Sequence, residues 1–104
     1  MEEWIRPDSI KICGVRFSVE WNVDMPDCGK VDFKELKISI ASCSSDSMQL
    51  DTLLHEVFHV LWYFYSCRKR EGEERVVSTM ASGLNCVFSA NPRLIDYINK
   101  VHGG

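Results

Sequence analysis

The stretch Leu53-Leu54-His55-Glu56-Val57-Phe58-His59-Val60-Leu61-Trp62 carries a helical period and a metal-ligand spacing at once. At about 100° per residue, Leu50, Leu53, Leu54, Val57, Val60, Leu61 and Phe64 fall on one broad arc of a helix. Thr52, His55, His59 and Trp62 fall on the opposite arc. Two histidines four residues apart project from the same face, so both imidazoles can reach one zinc ion. Glu56 lies about 100° further round, too offset to be a natural ligand. It is well placed instead to hydrogen-bond a water at the metal and act on it as a base. A core role for the histidines fits poorly, because they face away from the apolar stripe. A surface role leaves Trp62 stranded beside them. A second helix covering that side would account for all four residues.

Working outward, the period predicts a helix from about residue 46 to 65, with Asp46 or Ser47 as N-cap and Asp51 in or near the first turn. Residues 67–72 read as a charged connection. Its Arg68-Lys69-Arg70 run is followed at once by Glu71, Glu73 and Glu74, the pattern of a solvated turn. A second helix is expected over about 73–88. Asn91-Pro92 then supplies an N-cap and a proline at the first position of a short third helix carrying Leu94, Ile95, Ile98 and Val101.

Upstream the period is that of strands. Ile10 and Ile12 alternate with polar residues, and Gly14 shifts the parity before Val15, Phe17, Val19 and Trp21, which predicts a bulge or tight turn. Residues 22–29 form a loop rich in Asn, Asp, Pro and Gly. Val31 and Phe33, then Leu36, Ile38 and Ile40, give two more short runs. The expected fold is α+β. A small sheet of three to four strands packs on the histidine-bearing helix, followed by a glutamate-bearing helix and a short C-terminal helix.

Length and composition set the outer limits. The 104 residues amount to one domain, 1–104, with 45% hydrophobic and 26% charged residues. Twelve Lys and Arg against fifteen Asp and Glu leave a net charge of -3, without the basic excess of a nucleic-acid binder. No apolar run is long enough to span a membrane, and the acidic N-terminus, broken by Pro7, lacks the core of a signal peptide. Five cysteines form no CxxC pair. Reduced thiols in a cytoplasmic protein are the expectation, with no nucleic-acid or membrane partner.

A catalytic zinc takes three protein ligands. Short-looped antiparallel helices would bring Glu73 and Glu74 back toward the histidines. Helical periodicity favours Glu73, which lines up with Val77, Met80 and Leu84. Helix-dipole stabilisation alone accounts for one of the two acids. His102 is a weaker candidate.

These residues also carry a family resemblance. Residues 51–62, the run Glu73-Glu74-Arg75-Val76-Val77-Ser78-Thr79-Met80-Ala81-Ser82-Gly83-Leu84 and Asn91-Pro92 resemble the small zincin-type metallopeptidase-like proteins of phages and prophages. These are related in plan to minimal gluzincins and to ImmA/IrrE and SprT-like proteins. Residues 10–19 and 37–40 are similar to the strands that precede the active helix in such proteins. The resemblance implies zinc between the His55/His59 helix and the glutamate helix, with Glu74 as third ligand ahead of Glu73. It implies Glu56 as general base, and residues 36–41 as the strand at the rim of the cleft, open to strand addition by a peptide. Hydrolysis of a peptide bond in a specific protein substrate, in the host cytoplasm if phage-encoded, is the activity implied. The competing expectations are a zinc-stabilised, non-catalytic protein that binds a host factor, and a purely structural zinc domain. No second oxyanion donor stands out, with Tyr63, Tyr65 and His102 as candidates.

Overall fold

The computed structural model describes residues 6–42, 45–65 and 72–103, with Glu73 as backbone only. Strands β1 (Ser9–Ile12), β2 (Val15–Val23), β3 (Gly29–Asp32) and β4 (Lys37–Ala41) precede helices α1 (Asp46–Tyr65), α2 (Glu73–Ala90) and α3 (Pro92–Val101). The protein is α+β, as its changing periodicity predicts. The expectations for Cys43, Cys67 and the Arg68-Lys69-Arg70 run lie outside the described residues.

The parity break at Gly14 is a tight turn. Cys13 and Gly14 both have positive φ (52° and 79°), the conformation of a two-residue hairpin turn, and β1 pairs antiparallel with β2. The sheet order is β1-β2-β4-β3, with β2 and β4 parallel and β3 antiparallel to β4. Its second hairpin turns at residues 33–36, where Asp32 Oδ1 accepts the N–H groups of Lys34 and Glu35, both at 2.9 Å.

Strand β4 is thus central, and residues 36–41 offer no free edge. The strand beside the cleft is β3, whose first residue, Gly29, the sequence reading puts in the preceding loop. The reason is long-range. Parallel pairing of β4 with β2 needs a crossover, and the chain makes it through β3, which then folds back onto β4's outer side.

One face of the sheet meets the helices. Ile10, Ile12, Phe17, Val19, Ile38 and Ile40 interlock with Leu50, Leu53, Val57, Val60 and Leu61 of α1, Val87 of α2, and Leu94 and Tyr97 of α3. Leu53, Val57, Val60 and Leu61 are fully buried, each burial contributing about 1.5–3 kcal/mol against exposure. Two polar groups fix the start of α1. Ser45 Oγ accepts the Met48 N–H at 3.2 Å, so Ser45 caps the helix in place of the expected Asp46 or Ser47. Buried Gln49 donates to Asn22 Oδ1 at 3.0 Å and to the Ala41 carbonyl at 3.1 Å, tying α1 to the irregularity in β2. At the other end Gly83 of α2 lies against α1, where a Cβ would stand 2.9 Å from Leu61 Cδ2 and 3.3 Å from Tyr65 Cε2. Helix α2 therefore reaches the C-terminal part of α1 and leaves the His55/His59 face open on its other flank. No helix among the described residues is long and apolar enough to cross a membrane.

Candidate metal centre and its groove

His55 and His59 are both exposed on α1, and Glu56 between them is buried with 6% exposure. The two imidazoles turn toward each other, and their Nε2 atoms are 3.2 Å apart. Two nitrogens about 2.05 Å from a tetrahedral zinc ion would stand roughly 3.3 Å apart. The separation of the pair matches that expected of two such ligands.

Glu56 turns from the histidines into the space between α1 and β3. The backbone of Gly29 lies over it, and a Cβ at residue 29 would come within 3.2 Å of Glu56 Oε2 and 2.6 Å of Thr52 Cγ2. Only glycine allows this approach. Burial pushes the Glu56 carboxyl above the ordinary glutamate range, while His59, and then His55, pull it back down. Among the described residues no hydrogen bond or ion pair holds this carboxylate.

His55, Glu56 and His59 form the floor of a groove of about 700 Å³ between α1 and β3. Asp51, Thr52, Trp62 and Tyr63 continue the α1 wall, and residues 27–31 with Phe33 make the other. Strand β3 borders this groove, and among the described residues no strand pairs with its outer edge. The Ala41 N–H donates to the Cys28 carbonyl at 2.8 Å. Alternation along an antiparallel ladder then directs the N–H and C=O of Gly29 and Val31 away from β4. A smaller hollow on the opposite flank of the histidines is lined by His55, Phe58, His59, Trp62 and Met80. Met80 is therefore the α2 residue beside the histidines, and Trp62, 41% exposed, is only partly covered by it.

The other candidates are not gathered here. Among the described residues no group of three His, Cys, Asp or Glu side chains is placed to hold a metal ion. Glu74 is exposed on the first turn of α2, and the side chain of Glu73 lies outside the described residues. His102 faces a separate hollow with Ser47, Met48, Asp51 and Leu54. Of the three candidate oxyanion donors only Tyr63 lines the groove. Tyr65 is paired with the Cys13 thiol, which pushes its hydroxyl up from the usual tyrosine value.

Sequence reasoning missed Gly29 and the ring pair Phe33–Tyr63, stacked at 4.2 Å between centroids with 25° between planes. Gly29 precedes the alternating Val31 and Phe33, and a glycine opening a strand is the signal that could have marked a close backbone approach. No protein-family model, no curated protein and no solved structure matches this chain.

Proposed function

We propose that this chain is a zinc-dependent, zincin-type metallopeptidase-like protein that hydrolyses a peptide bond in an extended segment of a protein. The observation supporting it most is the convergence of His55 and His59 Nε2 to 3.2 Å beside the buried, unpartnered Glu56. His55 and His59 would hold zinc with a third ligand from the start of α2. Zinc held there supplies Lewis acidity, making water acidic near neutral pH and polarising a carbonyl oxygen.

The chain's own residues do the rest. The free edge of β3 takes the segment as an added strand, with the outward N–H and C=O groups of Gly29 and Val31 as partners. The missing side chain at Gly29 lets that strand lie close to Glu56. Glu56 accepts a proton from the attacking water as its oxygen bonds to the scissile carbonyl carbon. It returns the proton to the amide nitrogen as the C–N bond breaks. One water is consumed, and one carboxylate and one amine form.

Three variants test this against a zinc-stabilised interaction protein that binds a host factor. His55→Ala and His59→Ala should each remove bound zinc, read by elemental analysis. Glu56→Gln should keep zinc and fold, and lose cleavage of a peptide library by roughly 10²-fold or more. Undiminished cellular activity in Glu56→Gln, with loss in His55→Ala, would assign the site to binding.

A further inference from the structure

The groove is polar at one end and aromatic at the other, and this polarity follows one stripe of α1. Asp51, His55, His59 and Tyr63 recur every four residues, so each neighbours the next in a row that winds about 120° round the helix from first to last. Strand β3 runs alongside in the same sense. Gly29 lies over Thr52 and Glu56, and Phe33, just past its end, stacks on Tyr63.

At the far end of the stripe three aromatic side chains border the groove. Tyr63 is 58% and Trp62 41% exposed, although each is large enough to dominate a core. Phe33 stacks on Tyr63 at 4.2 Å between ring centroids, so the two rings form one apolar face. At the near end the groove is lined by Asp27, two residues before Gly29, and by Asp51, next to Thr52 on α1, both exposed. Lys30, the one lysine among the described residues of this lining, has the opposite strand parity to Gly29 and Val31 and leaves β3 away from α1. Glu56 lies between the two ends, more than nine-tenths buried and open to the groove.

We propose that the groove selects an extended peptide carrying a large aromatic or apolar side chain at one end and a lysine or arginine about four residues away. The aromatic side chain would rest on Phe33, Trp62 and Tyr63, the cation between Asp27 and Asp51, and the bond to be cut over Glu56. The inference rests on the metallopeptidase reading and adds its substrate class. The dimensions agree. Twelve residues of helix from Asp51 to Tyr63 rise about 18 Å; four positions of extended strand span about 13 Å at about 3.3 Å each, and the long cationic and aromatic side chains at the two ends reach the remaining few ångströms. The charge is complementary, since the described lining holds three carboxylates, Asp27, Asp51 and Glu56, against Lys30. The free β3 edge supplies sequence-independent backbone pairing, leaving selection to the two ends.

The test uses heptapeptides with Phe and Lys four positions apart in both orders, and the same peptides with Phe→Ala or Lys→Glu. Hydrolysis by the zinc-loaded protein is read by mass spectrometry. Binding to zinc-loaded Glu56→Gln is read by backbone amide shifts. We expect at least one order to be bound and cut about tenfold or more in preference to its replacements. Tyr63→Ala should erase the preference for Phe, and the Asp27→Asn/Asp51→Asn double variant the preference for Lys. Equal cutting of all peptides would overturn the inference while sustaining the metallopeptidase reading. Selective binding without cutting would overturn that reading while sustaining the groove's selectivity. Neither binding nor cutting would overturn both.

Discussion

Asn91 pairs with Lys11 as a neighbouring strand would. Its Oδ1 accepts the Lys11 N–H at 2.9 Å, and its Nδ2 donates to the Lys11 carbonyl at 2.9 Å and to Val87 O at 2.7 Å. The sequence suggests an N-cap for α3, yet this side chain makes no capping bond. It closes the β1 edge of the sheet, where unpaired backbone groups would otherwise invite another strand. The opposite edge, β3, is left open among the described residues, beside the groove of the candidate metal centre. One edge of the sheet is thus covered at Lys11, while the other leaves Gly29 and Val31 facing the groove.

Asn91→Ala should cost about 2–4 kcal/mol, because it strands the Lys11 backbone groups as well as removing its own bonds. Urea denaturation reads this. A change under about 0.5 kcal/mol would mean that the pairing contributes nothing to stability.

Gly29→Ala should destabilise by about 1–3 kcal/mol through overpacking, since the new methyl would stand 2.6 Å from Thr52 Cγ2. Thr52→Ser deletes that methyl and should restore much of the loss in the double variant. Failure of the rescue would place the strain on Glu56 or on the Ser39 carbonyl, each 3.2 Å away.

The proposed third zinc ligand is tested by Glu73→Gln and Glu74→Gln. Met80 borders the hollow beside His55 and His59. Position 73, seven residues earlier, lies within about 20° of Met80 on the helix, whereas position 74 lies about 120° away. Glu73→Gln should weaken zinc binding and Glu74→Gln should leave it close to the parent, as read by competition with a chelator. The reverse result would restore the ranking that the family resemblance implies, and no effect from either would move the ligand elsewhere.

Tyr97 is 1% exposed, and burial pushes its hydroxyl from 10 up to about 12, with Arg6 lowering and Asp46 raising it. The folded state therefore holds this proton where the unfolded chain has released it. The stabilisation is fully present below about pH 10 and is lost as pH rises toward about 12, by up to about 1.4 kcal/mol per unit. Urea midpoints across that window should fall more steeply for the parent than for Tyr97→Phe. Identical slopes would remove Tyr97 from the alkaline transition.

What the sequence by itself determined is local. The 3.6-residue period sets His55 and His59 on one face of α1, with Glu56 turned aside, because side-chain direction follows backbone geometry within a turn or two. The glycine at the parity break marks the β1–β2 turn, and Pro92 marks the start of α3, for similarly short-range reasons. Tertiary structure alone decided which strand borders the groove. Val31 with Phe33, and Leu36 with Ile38 and Ile40, read alike as short alternating runs, and only the pairing of β4 with β2 makes β4 central and β3 the edge. The same long-range placement drew Asn91 from capping α3 to sealing β1. It also set Gly29 over Glu56 and seated Tyr63 on Phe33. Periodicity says which side chains share a face. What meets that face depends on contacts between residues far apart in the chain, and no local pattern encodes them.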